Sequence, residues 1–217
     1  MRGDPIPTTV LSARIIPNAD QDLLQQLDVP KGHISLGLFT TDCDDVSYTA
    51  LDEATKKADV QVAYARSMYA GSANANTDLA GEFLGILSAE NPEEIRSGLQ
   101  AAVLFARETA HFISANDSDS IVYYAQTISR TGSYLSKMAG VPEGTSMAYL
   151  IGPPLEAMVG LDAALKAAEV EMKVFYGPPT ETNFAGGLLV GEQSACKAAC
   201  EAFGKAVCEI ASSPVEI

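Results

Sequence analysis

Apolar and polar positions recur along this chain with two periods, of about two and about 3.6 residues, which alternate as strands and helices do. Residues 11–16 read as a strand, and Asp20 opens a short helix that closes before Val29-Pro30. Ile34, Leu36 and Leu38 take every second place, so a strand is predicted over 34–40. Asp44 or Asp45 makes a good N-cap for a helix at 46–58. That helix is expected to bury Leu51, Ala54 and Ala58 and to expose an Asp52–Lys56 pair at i, i+4. Val60, Val62 and Tyr64 alternate on the next strand. A loop of small residues, Gly71 to Thr77, precedes a strand at 82–88. Asn91-Pro92-Glu93 then starts a helix carrying Ile95, Leu99, Ala102 and Val103.

The second half repeats that order. A strand at 111–115 leads to a helical stretch from Asp117 to Met138, which Gly132 breaks. Strand 146–152, helix 155–168, strand 170–176, loop 177–183, strand 185–191 and helix 192–211 follow. The first helical stretch runs about fifteen residues longer than its counterpart. In the last helix Cys196, Ala199, Cys200, Phe203, Val207 and Ile210 form one stripe, which reads as core, with the thiols acting as small apolar groups. Zinc-ligand spacing is absent.

The halves share residues as well as pattern. Leu51, Asp52, Ala54, Lys56, Ala58 and Val60 return 110 positions later as Leu161, Asp162, Ala164, Lys166, Ala168 and Val170. Val29-Pro30-Lys31-Gly32 returns as Val141-Pro142-Glu143-Gly144, and Leu79-Ala80-Gly81 is echoed by Phe184-Ala185-Gly186. A duplicated unit predicts two similar domains, over 1–109 and 110–217, each an α/β-type (α+β) layered fold with a hairpin around its loop. Duplication also favours pseudosymmetric assembly.

Charge narrows the partners. Fourteen basic and 28 acidic residues leave a net charge of −14, which disfavours nucleic acid and anionic membranes and suits cations or neutral metabolites. No apolar run reaches about 18 residues, and Pro5 and Pro7 mark an extended arm rather than a signal peptide, so a soluble, cytoplasmic protein is expected.

Local chemistry is sparse. Asp42-Cys43-Asp44-Asp45 fails as a calcium loop, because Val46 and Ser47 stand where an acid or amide and a glycine are needed. Its plain reading is a helix start that attracts carboxylates. His33 and His111 belong to no triad or metal run, and Arg130-Thr131-Gly132-Ser133 lacks the lysine and glycines of a phosphate loop. No catalytic residue, metal site or cofactor is assigned, and an enzyme is not expected. The loops at 67–80 and 177–184 occupy equivalent points of the two repeats, where long loops are commonly functional.

Longer runs carry a resemblance. Asp-x-Ala-x-Lys-x-Ala-x-Val, present at Asp52–Val60 and Asp162–Val170, resembles the signature of bacterial microcompartment shell domains. Ser35-Leu36-Gly37-Leu38, Ala65 to Gly71, Ser129 to Ser136, Pro153 to Ala157 and Pro178 to Asn183 are similar to the L-type, tandem-domain shell proteins of ethanolamine-utilisation microcompartments. The likeness spans nearly the whole chain. It implies two circularly permuted shell domains, a homotrimer that mimics a hexamer, and tiling with other microcompartment shell proteins. It further implies a central pore gated by loops, matched here by Arg66, Tyr69, Ala70, Gly71, Thr182, Asn183 and Phe184. Smaller pores that bind ethanolamine are matched by Asp44, Asp45 and Glu82, with Phe112 nearby. Lys56 and Lys166 match the lateral-contact lysines. The family has also been linked to cobalamin, for which no motif stands in this sequence. The competing reading is a soluble trimeric regulator that binds a small metabolite and tiles nothing.

Overall fold

The computed structural model describes residues 1–68 and 79–215. The predicted loop at 71–77, with Tyr69, Ala70 and Gly71, therefore lies outside the described residues. The chain divides into two compact units, neither of them one continuous stretch. Thr8–Ala110 with Gly132–Leu135 forms the N-unit. Met1–Pro7, His111–Thr131 and the chain from Ser136 onward form the C-unit.

In the N-unit, β2 (Val10–Ile16), α1 (Gln21–Gln26), β3 (Ser35–Thr41), α2 (Asp44–Lys57), β4 (Gln61–Ser67), β5 (Phe83–Ala89) and α3 (Pro92–Glu108) follow in order. Its antiparallel sheet runs β2-β3-β5-β4. Helices α2 and α3 pack on each other and on strands of that sheet, burying Leu51, Ala54, Ile95 and Leu99. Asn91 caps α3 by accepting the Glu94 N–H at 3.0 Å. Ile34 falls before β3 and is exposed, since the inward positions begin at Ser35 and Leu36.

The C-unit takes in β1 (Pro5–Ile6) and then β6 (Phe112–Ser114), β7 (Val122–Ile128), most of α4 (Ser133–Ala139), β8 (Met147–Gly152), α5 (Pro154–Ala167), β9 (Val170–Tyr176), β10 (Ala185–Gly191) and α6 (Gln193–Ser212). Its sheet runs β1-β6-β7-β8-β10-β9. The stretch β7-β8-β10-β9 repeats the order β2-β3-β5-β4, so the fold is a tandem pair of α+β layered units. The cysteine stripe of α6 is core as expected: Cys196, Ala199, Phe203 and Val207 have no exposed surface, and all four thiols of the chain are free.

One expected element is wrong. Residues 117–131 are not helical; Val122–Ile128 is a strand and the counterpart of β2. Tyr124 and Ile128, four apart and both buried, imitate a helical stripe. Pairing decides otherwise: Tyr124 lies opposite Ile151, Ile128 opposite Met147, and Tyr124 meets Tyr149 edge-on at 5.5 Å. The extra length of this half is thus β6 and the turn after it, not a longer helix. A second expectation also shifts. Leu79-Ala80-Gly81 precedes β5, whereas Phe184-Ala185-Gly186 runs into β10, so that echo is not in register.

The Val-Pro-x-Gly echo does hold in three dimensions. Gly32 (φ 100°) and Gly144 (φ 84°) are left-handed, and His33 and Thr145 each donate back to the proline carbonyl three residues earlier. Asp28 (φ 50°) and Gly140 (φ 64°) match in the same way, 112 positions apart. Val29 N–H bonds the Leu24 carbonyl as Val141 N–H bonds that of Ser136.

Candidate functional site

Three adjacent strands bring the N-unit acids together. Thr41, the last residue of β3, is paired with Phe83, the first of β5, and Phe83 is paired with Ser67, the last of β4. The residues just beyond those ends, Asp42 to Asp45, Glu82 and Met68, therefore share one edge of the sheet. Gly81 makes the approach possible, since a Cβ there would overlap the Thr41 carbonyl oxygen and stand 2.6 Å from its carbon. That same oxygen accepts the Glu82 N–H at 2.8 Å, and the Glu82 carbonyl accepts the Met68 N–H at 2.9 Å.

The N-cap of α2 is Cys43, whose side chain makes no capping hydrogen bond. Asp44 and Asp45 occupy the first turn instead of capping it, and both are buried, with 7% and 5% of their surface exposed. Amide dipoles at a helix start favour carboxylates there, as the plain reading of this cluster held. Asp44 Oδ1 accepts the Asp45 N–H at 2.9 Å, and Oδ2 accepts the Ser67 hydroxyl at 2.7 Å. The Tyr48 hydroxyl lies 2.9 Å from that of Ser67. Asp42 accepts the Thr9 N–H at 2.7 Å. Glu82 is half-buried, and burial first, then the charges of Asp44 and Asp42, holds its carboxyl above the usual range. The part of that rise due to Asp44 and Asp42 is what a cation would relieve.

Phe112 belongs to the C-unit, buried beside Phe184 at 5.7 Å and stacked on Tyr124 at 5.4 Å. The turn before Phe184 is tied to Thr180, whose carbonyl accepts the Asn183 N–H at 3.0 Å and whose hydroxyl accepts the Phe184 N–H at 3.2 Å. Asn183 takes φ 64°, a region asparagine tolerates, while Thr182 stays partly exposed. Arg66 is exposed near the end of β4.

The two signature aspartates differ. Asp162 is exposed and pairs with Lys166 at 2.6 Å, as expected of a helix surface. Asp52 is 1% exposed, against expectation. Its Oδ2 accepts the Gly132 N–H at 2.8 Å and its Oδ1 the Leu135 N–H at 2.9 Å, while Thr55 Oγ1 accepts the Ser133 N–H at 3.1 Å. Lys56 lies 3.6 Å from Asp52 and also pairs with Glu53. Burial raises the Asp52 carboxyl, opposed by those two backbone donors and by Lys56. Arg130-Thr131-Gly132-Ser133 accordingly supplies Asp52 with a partner rather than forming a phosphate loop. His33 Nδ1 lies 2.9 Å from the Ser88 hydroxyl. Sequence reasoning gave no role to Tyr48, Ser67 or a buried Asp52; their partners lie 19 to 83 residues away, beyond any local signal.

The layered tandem fold is shared with solved bacterial microcompartment shell proteins. It superposes with a TM-score of 0.74 on the crystal structure of a trimeric bacterial microcompartment shell protein PduB, at 21% identity over 94% of this chain and 89% of that one. No family model matches the chain. It is 61% identical over 215 residues to the bacterial microcompartment shell protein EutL of Clostridium perfringens (strain 13 / Type A), which covers 99% of both chains. The crystal structure of the ethanolamine utilization protein EutL from Leptotrichia buccalis C-1013-b has a TM-score of 0.98 and 62% identity over the full length of both. The chain belongs to the EutL family of bacterial microcompartment shell proteins. It is a structural protein of the microcompartment shell, not an enzyme, and no described helix is long and apolar enough to cross a membrane.

Proposed function

We propose that two tandem shell domains, 1–109 and 110–217, form one third of a trimeric, six-fold-like tile that regulates metabolite passage. Ethanolamine, as its ammonium ion, is taken up in a small pore by Asp44, Asp45 and Glu82, and Phe112 is assigned to the same ligand set by the family likeness. Loop segments including Arg66 and Thr182 to Phe184, together with Tyr69, Ala70 and Gly71, gate a larger central pore. The observation that carries this reading is the gathering of Asp44, Asp45 and Glu82 at one sheet edge, two of them buried. Carboxylates in a partly desolvated site attract an ammonium group and hydrogen-bond it.

Calorimetry on the Asp45→Ala, Glu82→Ala double variant tests the site. Ethanolamine affinity should fall by at least about tenfold, each charged hydrogen bond contributing roughly 1.5–3 kcal/mol. An unchanged affinity removes both residues from the site. Wild-type affinity should also weaken as pH falls and Glu82, whose carboxyl is already raised, takes up a proton.

Lateral assembly has its own test. Lys166 is exposed, whereas Lys56 is engaged with Asp52 and Glu53, so Lys166→Glu is the cleaner reversal. Electron microscopy should show sheets lost while discrete trimers persist. Sheets that survive the change would free Lys166 of a lateral role. A protein that makes no sheets, alone or with other shell proteins, would favour the soluble regulator.

A further inference from the structure

A groove runs between α3 and the outer side of β2, wholly within the N-unit. It encloses about 620 Å³, and three of the chain's six arginines, Arg14, Arg96 and Arg107, line it. On α3, Leu99, Val103 and Leu104 stand between Arg96 and Arg107 and line it too, and Leu104 is 55% exposed. Arg14 folds back on its own strand, with Nη1 donating to the Ala13 carbonyl at 3.0 Å. Among the described residues none of these three guanidinium groups is in an ion pair, and Glu108 is the one acid lining the groove. In a chain of net charge −14, this is a local reversal of sign.

The C-unit shows that the fold does not require such a groove. Helix α6 repeats α3 with the same core positions: Ile95, Leu99, Ala102 and Ala106 become Cys196, Cys200, Phe203 and Val207, all buried. The solvent stripe differs. Lys197 pairs with Glu201 at 3.9 Å and Lys205 with Glu209 at 3.7 Å, so α6 neutralises its own charges. On α3 those positions hold Arg96, Gln100, Leu104 and Glu108. The acid that would face Arg96 is an amide, and the lysine that would face Glu108 is a leucine. Arg107 adds an exposed cation where α6 buries Cys208. The space beside the helix differs as well. In the C-unit β6 pairs with the outer edge of β7, and Tyr123 lies so near Gly204 that a Cβ there would stand 2.7 Å from its ring. In the N-unit β2 is the last strand of its sheet, and the groove stays open.

We infer that this groove binds a linear organic anion, with a phosphate or carboxylate at each end and an apolar middle. Arg96 and Arg107 stand eleven residues apart, roughly 16 Å along the helix at about 1.5 Å per residue. That spacing suits a molecule with two charged ends better than a single small anion. A guanidinium fork takes phosphate or carboxylate through paired hydrogen bonds. The apolar stem lies on Leu99, Val103 and Leu104 and removes the exposed leucine from water. A cavity of this volume fits a small molecule. The inference uses none of the pore residues and is independent of the trimer reading.

Titration calorimetry on the full chain tests this, with an α,ω-alkane bisphosphate of eight carbons and, beside it, the dicarboxylate of the same length. Binding of either supports the site, and the tighter of the two names the end group. A wild type that binds neither would overturn it. Arg96→Gln and Arg107→Gln should each weaken the tighter probe by about tenfold, the loss expected of a charged hydrogen bond. Leu104→Gln should weaken it several-fold. Lys197→Gln and Lys205→Gln, which strip the equivalent stripe of α6, should leave the affinity unchanged. All five side chains are exposed, so the melting temperature should hold in every variant. Equal losses from the two helices would mean general charge attraction and would overturn the site. Inorganic phosphate and the eight-carbon diol should bind at least about tenfold more weakly than the bisphosphate. Either one matching it would overturn the two-ended ligand.

Discussion

Gly81→Ala should lower the melting temperature by about 6–12 °C, the equivalent of roughly 3 kcal/mol of overpacking in a chain of this size. The added methyl would overlap the Thr41 carbonyl oxygen, which is also the acceptor for the Glu82 N–H at 2.8 Å. Backbone cannot rotate out of the way as a side chain can. Relief requires β3 and the start of β5 to separate, and that displaces Glu82 from Asp42 and Asp44. Stability and ethanolamine affinity should fall together. Calorimetry and thermal melts on the same preparation would check this; a variant that melts and binds like wild type would show that the acids do not depend on this close approach.

Asp52→Ala should cost about 2–3 kcal/mol, because two buried N–H groups lose their charged acceptor. Asp52→Asn should cost less, since one acceptor oxygen remains to take a backbone donor. The pH dependence has a definite sign. Burial raises the Asp52 carboxyl above its unfolded value, so its contribution to stability is fully present below the ordinary carboxylate range and declines as pH rises through the raised folded value. The gap between wild type and Asp52→Ala should therefore be larger in acid than at neutral pH. Urea unfolding at several pH values measures it. A gap that widens toward neutrality would mean that the Gly132 and Leu135 N–H groups and Lys56 outweigh the burial. The equivalent Asp162→Ala should change stability by less than about 1 kcal/mol, because its pair with Lys166 is exposed.

These contrasts mark how far the chain could be read. Strands at 170–176 and 185–191 matched the structure residue for residue, and apart from the stretch at 117–138 the helix boundaries fell within about two residues. Tyr124 and Ile128 misled because strand β7 is apolar on both faces, and a strand without clean alternation looks like a helix stripe. Asp44 and Asp45 were legible as a helix start, and their likeness to a known family pointed to a ligand. Ser67 and Tyr48 beside them were not assigned, because the contact between Ser67 and Asp44 spans 23 residues.

The sequence by itself determined that this protein is a duplication, that each copy is an α+β layer, and that its acids outnumber its bases twofold. Period and composition are local properties, and two copies of one pattern are visible without coordinates. Only the tertiary structure decided how equivalent residues part company. Asp52 and Asp162 stand in the same helix motif, yet one is a buried acceptor of two backbone N–H groups and the other a solvated partner of a lysine. The difference lies in what packs against each helix, and packing partners distant in sequence leave no trace in the motif itself.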